Sequence, residues 1–313
     1  MDIFPLRPAR RRLATHTLLW LPALLLTSAD ALAWGLYTHV YFAQLLLWAI
    51  PLADPALRRL ARRHPKLVMA GACLPDVALT ARSAGAEALA TSHRWPQLHA
   101  LMDAARGDAE QAAVLGYASH LMADIIAHNH LVPAHERLWF ESELATHVAV
   151  EWAMDRHVAP QLFARPADLM RSERAVLSPL MGRAFHCHPD KVGQALATLT
   201  KGETWLRNSG LHAGLYHAAR FVDRRVQRRF NLYLGHTGRR LGQLGRLLEG
   251  EQPGWLAEVE PVEARAKLIT APRRLLRACL PLPEDLFVAQ AHAAYCPTIA
   301  SARTHASNSS PVT

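Results

Sequence analysis

The segment "HLMADIIAHNH", residues 120–130, closes a long Ala/Leu-rich stretch (109–127) whose apolar residues recur at helical spacing. Within it His120, Asp124 and His128 follow at i, i+4 and i+8, so a helix carries all three on one face. The remainder of that helix is apolar. A helix that is apolar nearly all round has to be buried, and an ionised carboxylate buried with it is expensive unless it is paired or bound to a metal. The chain must therefore surround this segment and supply partners to its polar stripe.

What surrounds it reads as further helices. Val40 to Ile50 is an apolar run stopped by Pro51, Ala56 to Met69 carries a basic face, and Glu141 to His157 ends before Pro160. Amphipathic runs follow at Leu169–Phe185, Lys191–Arg207, His212–Leu248 and Pro261–Leu280. Alternating Val/Ile/Thr runs are few, and no Asn-Gly or Asp-Gly hairpin is present. The expected fold is an all-α multi-helix bundle enclosing a polynuclear metal site. It forms a single domain over residues 34–297, with a motif-bearing half (34–160) and a helical second half (161–297). The tail from 298 to 313 is small and polar, as disordered termini are.

The first 33 residues stand apart. "MDIFPLRPARRR" is a basic leader, Leu18–Thr27 is a short apolar run, and Ala31-Leu32-Ala33 is a small-x-small cleavage site. An apolar run of about 10 residues is too short for a membrane-spanning helix, which needs roughly 20. The expectation is a signal peptide, export to the periplasm or medium, and a mature chain of 280 residues beginning at Trp34; an uncleaved anchor is the competing reading. The net charge of +9 becomes +7 once the leader, with four arginines and two aspartates, is removed. That balance favours anionic partners, although the arginine clusters at 224–229 and 239–246 lack the aromatic interleaving of a nucleic-acid surface. An exported chain permits disulfides. The four cysteines, Cys73, Cys187, Cys279 and Cys296, allow three pairings, and none forms a CxxC pair, which argues against thiolate zinc.

Histidine is abundant at 18 residues. Four histidines have a carboxylate four residues on (His99/Asp103, His120/Asp124, His147/Glu151 and His186/Asp190), against about 1.5 expected by chance for helical neighbours at that spacing. Spacing alone therefore does not choose among them; the order of elements does. "GACLPDV" presents Asp76 directly after a proline, "TSHRW" presents His93, then come His120, Asp124, His128 and His130, and finally His147 and Glu151. Helices that send His and Asp/Glu inward are how bundles build polynuclear sites, and imidazole with carboxylate suits zinc.

In this order the chain resembles the zinc-dependent phospholipase C family of exported bacterial enzymes, whose fold is shared by the S1/P1-type nucleases. The matching elements are Trp34 and His39 within "WGLYTH", Pro75-Asp76, His93, His120 with Asp124, and His147 with Glu151. The resemblance covers roughly residues 34–155. It implies three zinc ions, one held by Asp76, His93, His120 and Asp124, a second by the Trp34 amine and carbonyl with His39 and Asp124, and a third by His130, His147 and Glu151. Asp124 bridges. The chain departs from the family's pattern in having "AHNH" where a proline is usual, so His128 competes with His130; His99 likewise competes with His93. The resemblance makes the signal cut the step that creates a ligand, because a free α-amino group binds zinc and an amide does not.

The chemistry implied is hydrolysis of a phosphodiester by zinc-activated water, with Asp76 orienting or deprotonating that water. No Gly-x-Ser-x-Gly elbow and no glycine-rich phosphate loop is present, which argues against a serine hydrolase or a nucleotide-binding enzyme. Phospholipid, with peripheral membrane contact, is the expected substrate. A nuclease is disfavoured, since Phe, Trp and Tyr together make up 7% and stacking platforms are few. A non-catalytic envelope protein that keeps its metal for stability is a third reading.

Overall fold

A computed structural model of the chain describes residues 35–139, 143–257 and 282–288. The leader, Trp34, the run Pro261–Leu280 and the tail lie outside the described residues. Among the described residues there is no strand, and no single helix is long and apolar enough to cross a membrane. The fold is all-α.

The central element is the helix Gly107–Ile126 (α6), every residue of which from Ala112 onward is buried. Around it pack Leu36–Trp48 (α1), Pro55–Arg63 (α2), Pro65–Gly71 (α3), Trp95–Ala104 (α5), Pro166–Ala184 (α9) and Val226–Leu241 (α12). A short helix, Ala78–Ala81 (α4), follows the 3₁₀ turn Pro75–Val77. After α6 the chain passes through a π-helical turn, Ala127–Leu131, into Val132–Leu138 (α7) and Glu143–Val158 (α8). Pro189–Ser209 (α10), Leu211–Val222 (α11) and Leu244–Leu248 (α13) complete the order.

Two of the runs expected to be continuous are broken, for local reasons. The 56–69 run divides at His64 because Pro65 opens α3; proline has no N–H to donate and drives the preceding residue out of the helical region. The 212–248 run divides at Asp223, whose carboxylate accepts from the Arg225 N–H (3.0 Å) and the Trp139 indole (3.3 Å) instead of facing solvent along a helix.

The tightest crossing is between α3 and α6. A Cβ on Gly116 would lie 1.9 Å from the Val68 carbonyl oxygen, and one on Gly71 would lie 2.0 Å from that of Ala113. The two helices thus meet backbone to backbone, and no larger residue fits at either position. This crossing brings the end of α3, and the Asp76 turn beyond it, against the polar stripe of α6.

Candidate metal centre

His120 and Asp124 project from adjacent turns of α6 with no exposed surface at all. The His120 Nδ1–H donates to the Ala72 carbonyl (2.8 Å), an acceptor set in place by the α3–α6 crossing. That bond fixes the neutral tautomer, so the Nε2 lone pair points the other way. It faces Asp124 Oδ2 at 3.0 Å, His93 Nε2 at 3.3 Å and Asp76 Oδ1 at 3.9 Å.

Each of these partners is delivered by its own element. Asp76 and His93 lie in loops tied to α6 by a chain of hydrogen bonds: Tyr117 Oη donates to the Ser92 carbonyl, and Ser92 Oγ donates to the Pro75 carbonyl. His93 Nε2 then stands 3.5 Å from Asp76 Oδ1 and 3.8 Å from Asp124 Oδ2. From α1, the His39 ring stacks parallel on His120 with centroids 3.4 Å apart, and its Nε2 lies 3.4 Å from Asp124 Oδ1. The two oxygens of Asp124 therefore serve different neighbours, Oδ1 toward His39 and Oδ2 toward His93 and His120.

Two overlapping groups result, His39/His120/Asp124 and Asp76/His93/His120, and within each the ligand atoms lie within 4.8 Å of one another. A tetrahedral zinc with bonds of about 2.0–2.1 Å separates its ligand atoms by about 3.4 Å. The separations of 3.3 Å (His120–His93), 3.5 Å (His93–Asp76) and 3.4 Å (His39–Asp124) are of that order, and the single outward nitrogen of His120, common to both groups, serves one ion. The donor set fits equally well: imidazole nitrogens and carboxylates, without thiolate. Electrostatics shows the same need for a cation. Burial raises the Asp124 carboxyl above its usual range although His120 pulls it down, and burial together with Asp76, Asp155 and Asp124 pushes Glu151 well above its own. Against the effect of burial, Asp124 and Asp76 hold the His120 imidazole above its ordinary value. Asp76, Asp124, Glu151 and Asp155 put four buried carboxylates in one region, an arrangement that a bound dication relieves.

On α8 His147 Nε2 lies 2.6 Å from Glu151 Oε1, both buried. The π turn then decides how the two competing histidines are spread. Both lie in this turn, and their rings face different neighbours. The His128 ring packs edge-on to His147 at 5.1 Å, whereas the His130 ring packs against Trp255 at 5.4 Å. Burial and the Arg240 charge push the His130 imidazole down to about 3. Trp255 belongs to a segment seated over the π turn, whose Leu256 carbonyl accepts from Asn129 Nδ2 (3.1 Å) and whose Trp255 carbonyl accepts from Trp95 Nε1 (3.0 Å).

Of the residues singled out in the sequence, the structure thus brings together His39, Asp76, His93, His120 and Asp124, and separately His147 with Glu151. Trp34 lies outside the described residues. His99 is on the surface beside Gln252, and the pair His186/Asp190 is exposed. One residue that the sequence reading passed over belongs to the same region: Asp155, one turn beyond Glu151 on α8, is 1% exposed. Its signal was the continuation of His147 and Glu151 at i+8.

No curated protein and no solved structure matches the chain. The sequence model of zinc-dependent phospholipase C matches residues 38–235, a span holding every described residue of the metal centre and most of the helices that enclose it. The chain belongs to the zinc-dependent phospholipase C family.

Proposed function

We propose that the chain is an exported hydrolase of phosphodiesters, and that its substrates are phospholipids cleaved at the headgroup. The observation that carries this reading is the pair of histidine–carboxylate groups that overlap at His120 of α6, in a chain of this family. Zinc supplies positive charge for the phosphoryl oxygens and a bound water acidic enough to attack near neutral pH.

The chain's own residues do the rest. His39, His93, His120 and Asp124 would hold the metals, Asp124 turning Oδ1 to His39 and Oδ2 to His93 and His120. Asp76, held in its turn by the Ser92–Tyr117 chain, orients the attacking water and accepts its proton. His147 and Glu151, with His128 or His130, form a third metal position, and the Trp34 amine completes the second after cleavage at Ala33. Burial of the whole cluster strengthens each of these electrostatic contacts in the transition state, where negative charge accumulates.

The test is release of phosphorylated headgroup from phosphatidylcholine vesicles by zinc-loaded protein beginning at Trp34, with Asp124→Asn as control. Release that the control abolishes supports the reading. Hydrolysis of single-stranded nucleic acid without lipid cleavage replaces it with a nuclease. Zinc binding with neither activity leaves a metal site kept for stability. A form carrying one extra alanine before Trp34 is expected to bind less zinc and lose activity; full activity there refutes the role given to the amine.

A further inference from the structure

The first turn of α1 is capped from another helix. Gly35 precedes α1 and has no side chain to offer, yet the orphan N–H groups of that turn are met by the Asp155 carboxylate, 117–118 residues away in the chain. Oδ1 accepts from the Thr38 N–H and the Thr38 hydroxyl, each at 2.9 Å, and Oδ2 accepts from the Tyr37 N–H at 3.3 Å. Gly35 closes over the same carboxylate: a Cβ there would lie 2.3–2.6 Å from its three atoms. Asp155 is in turn braced by α10. Arg207 donates to Oδ2 (2.5 Å) and to Glu203, and its guanidinium lies over the Tyr37 ring, 4.0 Å from the centroid.

The placement of this clamp is what makes it more than a cap. It grips Tyr37 and Thr38, the residues immediately before His39, and it presses on Gly35, the residue immediately after Trp34. It also continues the stripe of α8 that carries His147 and Glu151. One helix therefore carries one set of candidate ligands and grips the turn that leads into His39. Resting on the zinc-hydrolase reading above, we infer that Asp155 is a positioning residue that fixes the first turn of α1, and with it His39, in register with the metal cluster. It touches neither substrate nor metal; it acts through the backbone of residues 35–38. An aspartate suits the task because one carboxylate accepts all three α1 hydrogen bonds and the arginine at once.

The experiment compares full-length mature protein (from Trp34) as wild type, Asp155→Asn and Thr38→Val. Bound zinc per chain is measured by atomic absorption, zinc affinity by competition with a chelating dye, and the ligand field by the visible spectrum of the cobalt-substituted forms. Asp155→Asn is expected to weaken the weakest-held zinc by about 10–100-fold, the range found when groups supporting metal ligands are removed. One cobalt band should change while the others persist. Thr38→Val, which removes only the hydroxyl donor, should show the same change several-fold more weakly, and decides the matter if Asp155→Asn does not fold. Excess zinc should restore headgroup release by the variants. Variants that melt earlier but hold zinc as tightly as wild type, with unchanged cobalt spectra, overturn the inference and leave Asp155 a structural cap. A wild type that binds no zinc overturns the hydrolase reading and this inference with it, and is told apart because the failure precedes any substitution.

Discussion

Two buried histidines, His120 and His135, start from the same bond and end in opposite situations. Each donates its Nδ1–H to a backbone carbonyl at 2.8 Å, of Ala72 and Leu131 respectively, and so turns an Nε2 lone pair inward. At His135 that lone pair receives the Nε–H of Arg229 (3.4 Å), and Arg229 is itself neutralised by Asp223. At His120 it meets a second imidazole nitrogen and two carboxylates, with at most one hydrogen among them. The first cluster pairs its charge within the protein through Arg229 and Asp223. The second is complete only with a cation. Buried histidine by itself distinguishes nothing; what stands opposite the second nitrogen does.

The contrast can be broken experimentally, and removal of the arginine is the largest expected effect. Arg229→Met leaves Asp223 and His135 without their donor and should cost about 3–5 kcal/mol in urea unfolding, with zinc content unchanged; loss of zinc would show that the two clusters are coupled. The double variant Arg229→Met/Asp223→Leu should recover much of that loss. Asp124→Asn acts in the opposite sense. Phosphodiester hydrolysis should fall by about 10³-fold, equivalent to about 4 kcal/mol, together with loss of bound zinc. The metal-free protein should become no less stable, because a buried charge has been removed; marked destabilisation of the metal-free form would show Asp124 to be satisfied without metal.

Gly116→Ala comes next. Its methyl would enter the Val68 carbonyl, so α3 has to move, at about 3 kcal/mol, and zinc affinity should weaken along with stability because the Ala72 carbonyl moves with it. The smallest effect is a pH dependence. Burial, with the Arg229 charge adding to it, pushes the His135 imidazole down to about 3. The folded form therefore stays neutral while the unfolded form takes up a proton below about 6.5. Stability is lost as pH falls through that window, by about 2 kcal/mol at pH 5. Unfolding in chelator at pH 7 and pH 5 reads the loss, and His135→Gln should flatten it; an equal slope in the variant would assign the dependence to other groups.

Much of this was legible in the sequence, and the parts that were not have physical causes. The helical class followed from apolar spacing, and the α6 stripe from three polar residues on an apolar helix. Four His-x3-carboxylate pairs looked alike as spacing. His99/Asp103 fell on the outer side of a helix that buries Trp95, Leu98 and Leu101 instead, and His186/Asp190 on an exposed link between two helices, so the face and not the spacing separates them. The fate of His128 and His130 was hidden because a π turn has no sequence signal as strong as its effect: one wider turn is enough to change which ring faces α8. Asp155 was hidden for another reason. Its place at i+8 from His147 could be read, but its capping role depends on backbone N–H groups of a distant helix, and backbone groups leave no trace in a residue pattern.

The close approach of α3 and α6 has a consequence for which ion the centre can accept. Because Gly71 and Gly116 bring main chain onto main chain, the distance between the Asp76 turn and His120 cannot be enlarged by moving side chains. The opening is therefore constrained by main-chain packing. Calcium, which takes six to eight oxygens at about 2.3–2.6 Å, finds too few oxygens and no give in the walls. A small ion content with four mixed nitrogen and oxygen ligands finds its distances already in place, so the crossing of two helices acts as a gauge of ionic radius.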